Sequence, residues 1–219
     1  LIPNLPFDPY KDFAGVIALG YTPFVWLVNS NLPFKTFTDF VEHARRNVVP
    51  FGNAGPGSFQ HLYGEMFNLK YGTRFQNVPY KGQGPALQDI VAGHIPSLLG
   101  DVGGTKAYVD SGQLRPLVVT GTKRLASLPA IPTFAELGFS GYQRGGYFGT
   151  WVSAGVERQI VEKLARDMTA ALRSPQVGNR IAELGWEMGG GTPEEFTRIW
   201  KDTGEAVRPV IDKVKGELN

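Results

Sequence analysis

From residue 51 to residue 62 the chain reads Phe-Gly-Asn-Ala-Gly-Pro-Gly-Ser-Phe-Gln-His-Leu. The first residues are typical of a strand, the glycines indicate a tight turn, and Ser58 is a favourable N-cap for a helix. The first amides of such a helix have no partner inside it, and the helix dipole makes that end positive. The stretch therefore predicts a β–turn–α unit that binds an anion at Asn53, Ala54, Gly55, Gly57 and Ser58. An ordinary Ser-capped turn is the alternative interpretation.

A second stretch of the same design follows at residues 78–87, which read Val-Pro-Tyr-Lys-Gly-Gln-Gly-Pro-Ala-Leu. A third predicted strand ends at Asp101. Ligands of open α/β sheets bind where the turns after the strands meet, so we expect Tyr80, Lys81, Gly82 and Asp101 to line the same site. The alternatives are a packing role for Tyr80, a solvated Lys81 and a helix cap for Asp101. The backbone turn at residues 53–58 is predicted to be the main anion holder, with Lys81 secondary.

Strand and helix patterns alternate along the chain, which favours an α/β fold with mostly parallel sheets. Two continuous apolar strands, Val25–Val28 and Leu117–Thr120, bracket a segment with its own strands and helices. A chain that leaves one domain and returns by two such strands forms two lobes. We therefore expect lobe 1 to comprise residues 1–27 and 119–219, and lobe 2 residues 28–118, with the two apolar strands as the hinge.

Composition excludes several classes of protein. The 219 residues are 42% hydrophobic and carry a net charge of +2, which is typical of a folded domain. Basic residues are scattered, so we predict no nucleic-acid partner. The longest apolar runs are too short to span a bilayer. The absence of cysteine excludes disulfides and thiolate metal sites.

Motifs for catalysis and cofactor binding are missing from the sequence. Its three histidines lack the partner spacing of a zinc helix, and no phosphate-binding or dinucleotide fingerprint occurs. Ser58 and His61 are three residues apart on one predicted helix, where a cap contact is favoured over a nucleophile–base pair. We therefore predict no catalytic residue, metal or cofactor, and a protein that is not an enzyme.

An ordered set of short motifs resembles the Bug/TctC-type extracytoplasmic receptors of tripartite tricarboxylate transporters. The motifs run through the whole chain in the order of that family. They are Leu5-Pro6-Phe7-Asp8-Pro9, Gly55-Pro56-Gly57-Ser58, Val78-Pro79-Tyr80-Lys81-Gly82, Gly112-Gln113-Leu114-Arg115, Ile131-Pro132-Thr133, Phe148-Gly149 and Thr192-Pro193-Glu194-Glu195-Phe196.

The resemblance implies a type II periplasmic binding protein fold, in which two α/β lobes close on a ligand. It also implies a periplasmic receptor with a signal peptide upstream, which passes a small carboxylate to the membrane components of its transporter. Family members carry a further segment before the Leu-Pro-Phe-Asp-Pro motif, so lobe 1 is expected to lack its N-terminal part here. The effector-binding domain of a transcription regulator, which shares this fold type, is the alternative function.

Two aromatic residues extend the predicted site. Tyr147 and Phe148 follow a Gly-Gly pair and are expected to line the lobe 1 side of the ligand cleft. Aromatic side chains there would favour a flat or apolar ligand body, whereas the alternative places Phe148 in the core. Family members differ widely in substrate, so the resemblance leaves the particular acid open.

Overall fold

The computed structural model describes residues 5–141 and 145–214, in which helices and strands alternate. In chain order the elements are α1 (Pro9–Asp12), β1 (Phe13–Thr22), β2 (Phe24–Asn29), α2 (Phe37–Arg46), β3 (Val49–Asn53), α3 (Phe59–Tyr71), β4 (Phe75–Pro79), α4 (Gln83–Ala92), β5 (Ser97–Asp101), α5 (Val102–Asp110), β6 (Leu114–Val119), β7 (Gly146–Ser153), α6 (Arg158–Leu172), α7 (Pro175–Glu183), β8 (Glu187–Gly190) and α8 (Pro193–Val214). The predicted α/β class is confirmed.

The strands form two separate sheets, and the chain divides into two compact units around them. The first unit contains the described residues up to Thr22 together with Gly146–Pro209, and its sheet has the order β7–β1–β8. The second unit runs from Pro23 to Gly145, resumes at Val210, and contains the sheet β4–β3–β5–β2–β6.

The unit boundaries differ from the predicted lobe boundaries at 27/28 and 118/119. All of β2 lies inside the second unit because it pairs with both β5 and β6. The segment after β6 also stays in that unit, since Thr133 bridges to Val119 and Phe134 packs edge-on against Phe37. The predicted hinge role of β2 and β6 stays a prediction.

The expectation of mostly parallel sheets is wrong. Among the described strands, β3 pairs in parallel with β4 and with β5, and the other ladders are antiparallel. The reason lies in how the chain enters and leaves the second unit. Strand β2 begins, and β6 ends, at the same end of the sheet, so these two neighbours run in opposite directions.

Strand β2 forms the centre of the second unit because every one of its residues is buried. Its alternate residues face opposite sides of the sheet, as the pleat of a strand requires. On one side Trp26 lies among aromatic rings of α2, α3, β3 and β4; on the other, Val25 and Leu27 pack against α4 and α5. The unit is therefore a sheet with helices on both faces.

In the first unit the three-stranded sheet also has helices on both faces. Val16 and Ile17 of β1 pack with α6 and α7, while Phe196 of α8 contacts Tyr147 and Trp151 of β7. The close approach of α8 depends on Gly149, where a Cβ atom would lie 2.0 Å from the Phe196 ring.

Candidate functional site

Three strand ends meet at one edge of the second unit's sheet. Strands β3, β4 and β5 run in the same direction, so their last residues, Asn53, Pro79 and Asp101, share the carboxyl edge. Three helices, α3, α4 and α5, begin just beyond these ends. This geometry brings the two predicted turns and Asp101 together, as expected for an open α/β sheet.

The first turn, residues 53–58, has the predicted backbone. Gly55 and Gly57 have φ angles of +117° and +78°, which L residues rarely adopt and glycine adopts freely. Ser58 is the N-cap of α3, and its hydroxyl accepts from the His61 amide at 3.2 Å. The cap contact predicted between Ser58 and His61 is confirmed. Ala54 lies in the turn between Asn53 and Gly55.

Most amides of this turn are not open to a ligand, which corrects the expectation drawn from the glycines. The Gly55 amide donates to Asn53 Oδ1 at 3.0 Å, and the Ser58 amide donates to the Gly55 carbonyl at 3.1 Å. The Gly57 amide donates to His61 Nδ1 at 3.1 Å, which requires that ring nitrogen to be unprotonated. The turn is therefore stabilised internally by the groups predicted to bind the anion.

The second turn, residues 80–82, is joined to the first but remains more open. The Tyr80 amide donates to the Asn53 carbonyl at 3.0 Å. Gly82, with φ +94°, is the N-cap of α4 and offers no side chain to the first amides of the helix. In the part of the chain that the structure describes, the amides of Gln83 and Gly84 have no acceptor. This end of α4 thus keeps unsatisfied donors where the helix dipole is positive.

Lys81 is exposed beside this helix end, and it makes no ion pair or hydrogen bond with any described residue. The neighbouring Tyr80 has its hydroxyl engaged, since it donates to Asp89 Oδ2 at 2.7 Å. Burial and the adjacent Asp89 carboxylate raise the pKa of Tyr80 to about 12. Tyr80 therefore packs beside α4 and orients it through Asp89. The Lys81 ammonium group has no partner among the described residues and can attract an anion.

Asp101 acts as a helix cap, which was one of its two predicted roles. Its Oδ1 accepts from the Gly104 amide at 2.6 Å and so closes the start of α5. Gln83, which the sequence did not single out, accepts from the Asp101 amide through Oε1 at 2.7 Å. Gln83 therefore fixes α4 to the end of β5, a contact across 18 residues that spacing along the chain does not reveal.

The two aromatic site residues lie in the first unit and are described within it. Tyr147 packs edge-on against Phe196, and burial is the main cause that raises its pKa to about 12. Phe148 is 46% exposed and stacks in parallel on Trp186 with ring centroids 4.3 Å apart. Phe148 thus keeps a solvent-facing edge, whereas Tyr147 is mainly a packing residue. A ligand role for either stays a prediction.

The described residues meet neither the requirements of a metal site nor those of a membrane-spanning helix. No cluster of three or more histidine or carboxylate side chains among them could hold a metal ion. In residues 5–141 and 145–214 no helix combines the length and the apolar character that crossing a bilayer requires.

Strand–turn–helix units with open turns at one sheet edge are where α/β proteins with open sheets bind their ligands. The family model of the tripartite tricarboxylate transporter family receptor, TctC, matches residues 1–215. The chain belongs to this family, as the sequence motifs predicted.

Two curated relatives are similar over most of this chain. A protein from the tcbD-tcbE intergenic region of Pseudomonas sp. (strain P51) is 29% identical over 99% of the chain and 66% of its own length. Protein BugT of Bordetella pertussis is 29% identical over 89% of the chain and 60% of its own length. The chain therefore spans less than two thirds of the length of these relatives.

Solved structures show the same fold. A periplasmic transporter protein superposes with a TM-score of 0.84 and 32% identity over 96% of this chain and 71% of that protein. Rpa4515 of R. palustris, solved with adipate, gives a TM-score of 0.79 and 30% identity over 94% of this chain and 72% of that protein. The periplasmic binding protein BugD superposes with a TM-score of 0.79 and 26% identity over 99% of this chain and 73% of that protein, which confirms the predicted periplasmic-binding-protein fold class.

Proposed function

We propose that the protein is a periplasmic solute-binding receptor that captures a small carboxylate for a tripartite tricarboxylate transporter. The observation that carries the proposal is the uncapped start of α4 with exposed Lys81 beside it, at the carboxyl edge of parallel strands. Unsatisfied amides, a positive helix end and a free ammonium group favour the same ligand chemistry, an oxyanion.

The balance between the two turns is the reverse of the one predicted from the sequence. The amides of Gly55, Gly57 and Ser58 are engaged within their own turn, so they support the site by shaping it. The amides of Gln83 and Gly84, with Lys81, supply the direct attraction. Ser58 contributes through its hydroxyl, which retains acceptor and donor capacity beside its cap contact.

A carboxylate also agrees with the relatives. Rpa4515, of the same fold and 30% identical, was solved with adipate. That complex supports a dicarboxylate of similar size as the first ligand to test on this protein. Delivery to membrane components and residence in the periplasm are proposed from family membership.

The proposal predicts a binding difference between adipate and its neutral diamide, which has the same length and hydrogen-bonding reach. The protein is expected to bind adipate but not adipamide, because only the acid gains charge-assisted hydrogen bonds. Isothermal titration calorimetry measures the affinity for both compounds.

Lys81→Met should weaken adipate binding several-fold and reduce its salt dependence, because one cation near the ligand is lost.

Lys35→Met is the matched control, because Lys35 is also exposed and unpaired among described residues but precedes α2, beyond the opposite end of β2. Its affinity for adipate should equal that of the wild type. Equal binding of acid and diamide would contradict the proposal. So would a Lys81→Met protein that keeps both wild-type affinity and wild-type salt dependence.

A further inference from the structure

A continuous series of hydrogen bonds connects the last turn of α8 to the first turn of the candidate site, residues 53–58. The Gly55 amide donates to Asn53 Oδ1 at 3.0 Å, and Asn53 Nδ2 donates to Asn77 Oδ1 at 3.2 Å. Asn77 Nδ2 donates to Glu65 Oε1, and Lys213 Nζ lies 3.4 Å from Glu65 Oε2. We call Asn53, Asn77, Glu65 and Lys213 the relay; all four belong to the second unit.

The chemistry of the end groups fixes the direction of every bond in the relay. The Gly55 amide and the Lys213 ammonium can only donate, and an ionised Glu65 can only accept. The carboxamide oxygens of Asn53 and Asn77 must therefore face Gly55 and Asn53 respectively, with their NH2 groups directed toward Glu65. Glu65 is the common acceptor at which the series ends.

Burial makes this arrangement consequential. Asn53 is 1% exposed and Glu65 is 5% exposed, whereas Asn77 is half-buried and Lys213 is exposed. The bond from the Gly55 amide to Asn53 is therefore shielded from water, and the other bonds of the relay are partly buried. A buried carboxylate is costly unless it is paired, and Asn77 and Lys213 supply that pairing. Gly64 leaves the space for Asn77, because a Cβ atom there would lie 3.3 Å from Asn77 Oδ1 and 2.9 Å from the Phe51 ring.

We propose that Glu65, Asn77 and Lys213 are positioning residues of the ligand site. Through Asn53 they hold the Gly55 amide inward and so determine which amides of the first turn face a ligand. The inference rests on the proposed carboxylate-binding function. These three residues come from α3, β4 and α8. Because Lys213 is far from the other two along the chain, the sequence alone does not indicate that the three are neighbours.

Three variants test the relay. Glu65→Gln removes the charge, and its NH2 group then competes with Asn77 and Lys213 as a further donor. Asn77→Asp places a second carboxylate against Glu65. The double variant Glu65→Gln/Asn77→Asp moves the charge by one position and again gives every donor an acceptor. Glu42→Gln, at an exposed carboxylate paired with Arg45, is the control for the chemical change.

The readouts are the proton chemical shift of the Gly55 amide, adipate affinity and the unfolding midpoint. Each single variant should move the Gly55 resonance upfield and weaken adipate binding several-fold. The double variant should restore both, and Glu42→Gln should change neither. If a single variant does not fold, a folded double variant with the wild-type Gly55 resonance still supports the relay.

A merely structural role gives a different result. The single variants would then lower the unfolding midpoint while the Gly55 resonance and the adipate affinity of the folded protein stayed at wild-type values, and this would overturn the inference. A double variant that fails to restore the Gly55 resonance would do the same. If wild-type protein does not bind adipate, the proposed function fails, while the Gly55 resonance still tests the relay separately.

Discussion

Replacing Gly55 by alanine is expected to abolish most ligand binding. The φ angle of Gly55 is +117°, a region that L residues rarely adopt, and an added Cβ atom would lie 3.2 Å from the Tyr80 carbonyl oxygen. Alanine must therefore change the first turn or push it away from the second. Such backbone strain costs about 1–3 kcal/mol, and we expect a loss of adipate affinity of roughly 10- to 100-fold.

Gly121→Ala provides a closely matched control. Gly121 has φ +120°, and its added Cβ would lie 3.2 Å from the Lys123 carbonyl oxygen, so the strain is nearly the same. It follows β6, three strand positions from β3, or about 14 Å at the usual spacing of strands. Urea unfolding should show similar destabilisation in both variants, whereas calorimetry should show loss of adipate binding only for Gly55→Ala. Equal affinity losses would indicate a general effect of stability.

Trp26→Ala is expected to have the largest effect on stability. Trp26 is fully buried on the central strand, and its ring stacks on Phe51 at 4.7 Å and contacts Phe75 at 4.9 Å and Phe67 at 5.3 Å. Alanine would leave a large cavity at the junction of β2, β3, β4 and α3. The free energy of unfolding should fall by about 3–5 kcal/mol, as measured by urea denaturation followed by circular dichroism.

Two further variants serve as controls for the loss of stability in Trp26→Ala. Trp26→Phe should cost much less, since it keeps most of the ring volume and removes an indole N–H that has no hydrogen-bond partner among the described residues. Leu69→Ala, at a side chain that is 52% exposed on α3, should change stability by less than about 0.5 kcal/mol. A Trp26→Ala protein as stable as Leu69→Ala would contradict the proposed role of the aromatic core.

Local features of the fold were predictable because short-range chemistry determines them. The spacing of Thr192 and Glu195 is that of a capping box, and the two residues form one at the start of α8, with the Thr192 amide donating to Glu195 at 2.8 Å. Strand β8 was not predicted, because its sequence, Glu-Met-Gly-Gly, has no strand pattern. It forms because β1 pairs with it closely, and a Cβ atom on Gly189 would lie 2.1 Å from the Ala18 carbonyl oxygen.

The candidate site was predictable in location but not in its hydrogen bonding. The turns at residues 53–58 and 80–82 follow from strand, glycine and cap signals within a few residues. The bonds that engage the first-turn amides are local, from Gly55 to Asn53 and from Gly57 to His61. The contacts that orient the site across the sheet are long-range: Asn77 orients Asn53, and Gln83 accepts from the Asp101 amide. The contacts of Asn77 and Gln83 require the folded sheet, so the sequence alone does not indicate them. That the second turn binds the anion is a proposal from the structure, and the binding role of the first turn stays a prediction.

Amide chemical-shift mapping during an adipate titration tests the central claim most directly. In 15N-labelled protein, the account predicts the largest shifts at Gly82, Gln83 and Gly84, with smaller shifts at Ser58. Amides of α2, whose N-terminus is already capped by Thr36, should not move. Shifts concentrated at Gly55 and Gly57 with none at Gln83 and Gly84 would contradict the account, because the anion would then be bound by the first turn.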